Sequence, residues 1–163
     1  MAEISRRYDA VSENFSDSRK EPWSELDFLF NDLRAGERVL DLGCGCGELL
    51  AALARRRRAR GQGVEIDQQA ITDCIRAGVS VLYGDLDHGL ADYPDGSFDY
   101  VILNNCLPEV ASPATVFEEA RRVGRRVIVG FANFCHYRCR AEICLRGRAP
   151  RDWRWHDTPC RRF

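Results

Sequence analysis

A chain of 163 residues, 45% of them hydrophobic, is enough for one domain around a single core and too short for two. Its longest apolar runs, residues 49–54 and 127–132, fall far short of a bilayer span, and the polar N-terminus has no signal-peptide core. These features exclude a membrane protein and point to the cytoplasm. The net charge of −1 conceals an asymmetry: from Arg121 onward, 12 arginines stand against only Glu142, Asp152 and Asp157. The tail is either a surface for an acidic partner, an anionic substrate or RNA, or a solvated arginine-rich face.

The elements follow in chain order. Residues 22–34 place Trp23, Leu26, Phe30 and Leu33 at helical spacing behind Pro22, which suits a first helical turn. RVLDL (38–42) reads as a buried strand. A glycine loop follows, then a helix through ELLAALARRR, where Arg55 to Arg58 complement the helix C-terminus. GQGVEID (61–67) is the second strand, residues 68–78 a helix closed by Gly78, and VSVLYGD (79–85) the third strand. A fourth strand occupies 95–105 after an Asp95-Gly96 turn. A helix over 112–124 opens with a capping Ser112 and a proline, and RVIVGFA (126–132) is the fifth strand. This alternation predicts an α/β fold, Rossmann-like, with a mostly parallel sheet and helices on both faces. One domain is expected, divided into an N-terminal helical segment (1–36), a core (37–132) and a basic tail (133–163).

Three glycines, Gly43, Gly45 and Gly47, sit between the first strand and the following helix. There they let backbone amides approach a ligand at the strand's carboxyl end, where doubly wound sheets bind ligands. The dinucleotide fingerprint G-x-G-x-x-G requires a third glycine where this chain has Glu48, which argues against NAD. Small side chains at Cys44 and Cys46 keep the loop backbone close to whatever binds. Acids close the next two strands, Glu65 and Asp85, with Ile66 and Leu86 beside them; Asp67 is a candidate helix cap.

Eight cysteines are scattered through predicted core segments, which favours reduced thiols over a disulfide framework. The tightest grouping, Cys135, Cys139, Cys144 and Cys160 near His136, lacks the paired short spacing of a structural zinc site, so no metal is expected. For acid–base work the candidates are His136 and His156, with Asn104, Asn105 and Glu109 as acceptor-side groups and His136, Asn104 and Glu109 as the catalytic candidates, none within a specific motif. NNCLPE lacks the [D/N]-P-P-[Y/F] signature of enzymes that methylate base amino groups.

The spacing Asp41-x-Gly43-x-Gly45-x-Gly47 resembles motif I of class I S-adenosylmethionine-dependent methyltransferases. That resemblance implies S-adenosylmethionine or S-adenosylhomocysteine as cofactor, with Asp41 near the methionyl amine and Glu65 on the ribose hydroxyls. It further implies that Asp85 meets the adenine amino group, that Asn104 ends the fourth-strand motif, and that Asp99 is structural. From about residue 38 to the end, the chain resembles the methionine-biosynthesis protein W (MetW) family; F-x-N-F and H-x-R-x-R at 131–140 are the most specific part. This implies a link to methionine synthesis and to homoserine O-acyltransferase. The expected activity is methyl transfer to a small molecule; the alternative is a non-catalytic or regulatory partner of that acyltransferase.

Cys46 stands where the family usually has an acid, and NNCLPEV replaces its S-Q-T-L-Q type of segment. The C-terminal antiparallel hairpin of a complete class I fold is not expected, so either the sheet is short or a partner, homoserine O-acyltransferase or a second copy, covers its edge. Residues 8–26 resemble the segment ahead of motif I in tRNA wobble-uridine methyltransferases. Tyr8, Phe15, Arg19 and Trp23 are therefore lid candidates, and RNA methylation is a third reading.

Overall fold

The first strand, β1 (Arg38–Leu42), is buried along nearly its whole length, as a central parallel strand must be. The computed structural model describes residues 27–130 together with 144 and 145, and Pro22–Gly130 form one compact unit. In chain order its elements are α1 (Asp27–Asp32), β1, α2 (Glu48–Arg57), β2 (Arg60–Glu65), α3 (Gln68–Arg76), β3 (Ser80–Tyr83), β4 (Phe98–Asn104), α4 (Pro113–Val123) and β5 (Gly124–Gly130). Short 3-10 turns occupy Leu86–His88 and Leu107–Glu109. The sheet order is β3-β2-β1-β4-β5 with every pairing parallel, in agreement with the sequence expectation.

Alternation along the strands divides the core into two layers. On one face, Val39, Tyr100 and Ile102 meet Leu29, Phe30 and Leu33 around α1, Leu49, Leu50 and Leu53 of α2, and Cys74 of α3. On the other, Leu40, Leu42, Val64, Val101 and Leu103 meet Val116, Ala120 and Val123, which place α4 there. Helices thus cover both faces. The crossover from β3 to β4 is an exception, carrying a 3-10 turn where the others carry helices.

Several boundaries differ from expectation for local reasons. The second strand stops at Glu65, not Asp67, because the Glu65 carboxylate takes the amides of Ile66 and Asp67 out of the ladder. Asp67 then caps α3, accepting from the amides of Gln69 and Ala70. Ser112 makes no side-chain cap on α4; instead the Asp87 carboxylate accepts from the amides of Ala111 and Ser112. The helix expected over 22–34 is described only as α1, and Trp23 and Leu26 lie outside the described residues. Asp99 is structural as expected, accepting from the Arg38 amide at 2.8 Å and facing Arg125.

Candidate functional site

Sheet order reverses between β1 and β4, and the crevice at their carboxyl ends is where such sheets hold ligands. The glycine loop forms one lip. Gly43, Gly45 and Gly47 have φ of 70°, 54° and 74°, a left-handed conformation that side chains with a Cβ rarely adopt. A Cβ at Gly43 would also stand 2.9 Å from that of Cys106, which packs beneath the loop. The loop is tied to β2 by the amides of Gly43 and Cys44, both donating to the Val64 carbonyl. The N-terminus of α2 begins at Gly47 without a side-chain cap.

Glu65 is the hinge of this arrangement. Its carboxylate, 3% exposed, accepts from Gly45 at 2.8 Å through Oε2 and from Ile66 and Asp67 at 2.9 and 3.0 Å through Oε1. Asp41 is also buried, on the strand position opposite Gly63 and Ile102. Asp85 ends the third strand region, caps the next turn through the Asp87 amide, and pairs with exposed His88 at 3.1 Å. Ile66 is exposed and Leu86 half-buried.

Asn104 ends β4 against Gly130, and Asn105 takes a left-handed φ of 59° with its amide on the Gly130 carbonyl. Glu109 follows in the adjacent turn. Although the residue is exposed, its carboxyl is shifted above the ordinary carboxylate range, first by partial desolvation and then by the charge of Glu65. Asp41, the loop, Glu65, Asp85, Asn104 and Glu109 therefore all belong to the carboxyl-end side of the sheet.

Cys44 turns its side chain away from the crevice. Its side chain, 1% exposed, turns into the core against Gly63 and lies 4.0 Å from the Cys74 sulfur, so only its backbone faces the crevice. Cys74 donates to the Gly45 carbonyl at 3.0 Å. Burial drives these two thiols and that of Cys106, in the opposite layer, upward: Cys44 strongly, Cys74 to about 11 and Cys106 to about 12, with Asp41 adding to the rise at each. Protonated and enclosed, they pack as small hydrophobes and are poor nucleophiles. Cys74 and Cys106 were not singled out by sequence, because nothing in their spacing ties them to the distant loop, which for Cys74 and Gly45 lies 29 residues away.

Among the described residues Cys44, Cys74, Cys106 and Cys144 are thiols, no cluster could hold a metal ion, and no helix is long and apolar enough to cross a membrane. His136, His156, Cys135, Cys139, Cys160 and the lid candidates Tyr8, Phe15, Arg19 and Trp23 lie outside the described residues.

A five-stranded parallel sheet with a glycine loop after β1 and an acid closing β2 has the class I S-adenosylmethionine-dependent methyltransferase fold. Similarity to solved structures agrees. A SAM-dependent methyltransferase from Thermotoga maritima matches 87% of this chain and 67% of its own length, at 25% identity and a TM-score of 0.63. Another, from Geobacter sulfurreducens in complex with S-adenosyl-L-homocysteine, matches 66% of this chain and 47% of its own, at 25% identity and a TM-score of 0.53.

The family is narrower than the fold. Residues 24–163 match the family described as methionine biosynthesis protein MetW, and the chain belongs to it. A bifunctional methionine biosynthesis protein MetXA/MetW from Rhodopirellula baltica is 42% identical over 142 residues, covering 79% of this chain. The chain spans between 23% and 34% of the lengths of the first curated relatives it matches.

Proposed function

We propose that this chain binds S-adenosylmethionine or S-adenosylhomocysteine in the crevice at the carboxyl ends of β1, β2 and β4, and transfers the methyl group to a small-molecule acceptor. The observation that carries this reading is the Glu65 carboxylate fastened to the central amide of a loop with three left-handed glycines. The residues fit the group. The left-handed turns at Gly43, Gly45 and Gly47 carry the loop backbone along the crevice, and the uncapped start of α2 offers amide donors to the ligand's carboxylate.

S-adenosylmethionine supplies an already activated sulfonium methyl, so the protein's task is largely positioning. Glu65 would meet the ribose hydroxyls, with Ile66 beside it. Asp85 would accept from the adenine amine, with Leu86 along the ring. Asp41 would face the methionyl amine, and Gly43, Cys44, Gly45 and Gly47 would contribute backbone. Asn104 and Glu109 stand on the acceptor side. A carboxyl raised above its ordinary range, as at Glu109, is better matched to taking a proton near neutral pH than an unperturbed one.

A second reading has its own support. The relative that carries MetXA and MetW functions in one polypeptide favours a role beside homoserine O-acyltransferase in methionine biosynthesis, with the adenosyl site acting as a sensor. Calorimetric titration with S-adenosylmethionine, S-adenosylhomocysteine and NAD tests the site. Micromolar binding of an adenosyl ligand without NAD binding is expected; no binding of either would remove the cofactor reading. Assay of the acyltransferase with and without this chain, at varied S-adenosylhomocysteine, then separates the two roles: a rate that responds to the nucleoside favours the partner.

A further inference from the structure

Cationic side chains in the described fold are confined to one pole. From Asp41 to Ala54, from Gly61 to Ile75 and from Ala77 to Ala120 the sequence has no lysine or arginine. The arginines of residues 27–130 fall at strand starts or at or just beyond helix ends. In a parallel sheet with returning helices, these are the same side of the molecule, opposite the glycine loop.

Hydrogen bonds bring two of the arginine-bearing turns together. The Gly36 amide donates to the Arg58 carbonyl at 3.1 Å, the Arg60 amide donates to the Glu37 carbonyl at 2.9 Å, and Arg38 and Arg60 are register partners. Adjacent strands lie about 4.8 Å apart, so these two side chains start as neighbours.

Helix C-termini account for some of this charge. Arg76, Arg121 and Arg122 stand in last turns and pair with Asp73, Glu118 and Glu119. They do not account for Arg34, Arg38 and Arg60. These precede or open strands, are exposed, and have no carboxylate partner for their side chains among the described residues.

The occupant follows from what accompanies the charge. A protein partner is usually held by apolar or aromatic anchors at the centre of its interface. The aromatic residue at these turns, Phe30, is 7% exposed beneath the Arg56 guanidinium, so among the described residues these turns offer cations without an exposed aromatic anchor. Clustered planar guanidinium forks suit phosphate oxygens. We propose that this pole binds the phosphate backbone of a nucleic acid through Arg34, Arg38, Arg58 and Arg60, independently of base sequence. The acids at the opposite pole would turn the glycine loop away from the polyanion. This surface stands whether or not an adenosyl ligand occupies the crevice.

Fluorescence anisotropy with a labelled single-stranded RNA of about 20 nucleotides, and a DNA of the same sequence, tests it. Binding should fall steeply between about 50 and 200 mM salt. The triple variant Arg34→Ala, Arg38→Ala, Arg60→Ala should bind at least about tenfold more weakly, with a salt slope shallower by about 2, while the corresponding triple lysine variant keeps most of the affinity. Unchanged circular dichroism and thermal midpoint certify that the variants are folded. Preference for RNA or for DNA identifies the backbone, and either supports the proposal. It is overturned if the protein binds neither at low salt, if the triple alanine variant binds as well as the parent, or if polyglutamate displaces the probe as effectively as unlabelled RNA.

Discussion

Glu65 joins three backbone donors from two segments, and its removal would leave part-buried amides without this acceptor. Glu65→Ala is expected to lower stability in urea unfolding by about 1–3 kcal/mol, the scale of a lost charge-assisted hydrogen-bond acceptor. Loss of S-adenosylhomocysteine affinity by tenfold or more should accompany it, and calorimetry on the still-folded Glu65→Gln variant separates the two effects. If that variant binds like the parent, Glu65 serves the loop alone. Gly63 gives a second test at this scale. A Cβ there would lie 2.3 Å from the Cys44 sulfur, so Gly63→Ala should cost about 1–3 kcal/mol through overpacking. Adding Cys44→Ala should recover part of the loss in thermal melts, which additive behaviour would contradict. Asp41, Glu65 and the three glycines were legible because strand ends and a helix start bracket them in sequence. The inward turn of Cys44 was not, because it depends on left-handed glycines on both sides directing the side chain toward β2.

The segment between β3 and β4 has only the short turn at Leu86–His88 and is fastened to α4. Arg122 donates to the Leu90 and Tyr93 carbonyls, both at 2.8 Å, and pairs with Glu119 and Asp95. Asp87 answers from the other side by capping the entrance to α4. The hydrogen bond from Arg122 is the main reason the Glu119 carboxyl lies below its ordinary range. A group depressed in the folded state contributes stability above its unfolded pKa and loses it as pH falls through the folded value. Thermal midpoints followed from neutral to acid pH should therefore fall on the acid side. Arg122→Ala should lower the neutral midpoint and flatten that limb; an equally steep limb would show that other carboxylates carry it. Sequence placed the helix and its proline correctly but assigned the cap to Ser112. Asp87 lies 25 residues from Ser112, beyond any local spacing rule.

At the scale of the molecule, the parallel sheet between two helical layers was legible because five apolar runs alternate with helical ones and such crossovers close with one hand. The charge polarity was not, because Arg34, Arg38 and Arg60 become neighbours only when strand starts align. The same topology leaves β3 at an edge. Leu82 shares a sheet face with its register partner Val64, yet the crossover that follows supplies a 3-10 turn instead of a covering helix. Leu82 is accordingly 50% exposed and Tyr83 68%. An exposed apolar edge strand presents unpaired amides and carbonyls together with a hydrophobic surface, the combination that templates association. Natural edges are commonly guarded by a lysine, which this strand lacks. Leu82→Lys should therefore reduce light scattering during a thermal ramp and shift any concentration-dependent oligomer toward monomer in size-exclusion chromatography. Its cost to the folded unit should stay within about 0.5 kcal/mol, as for a surface position. Scattering that persists unchanged would move the association site to β5, whose Val127, Ile128 and Val129 are only half-buried at the opposite edge. Reduced scattering with a strongly lowered midpoint would instead mean that Leu82 packs inside the protein.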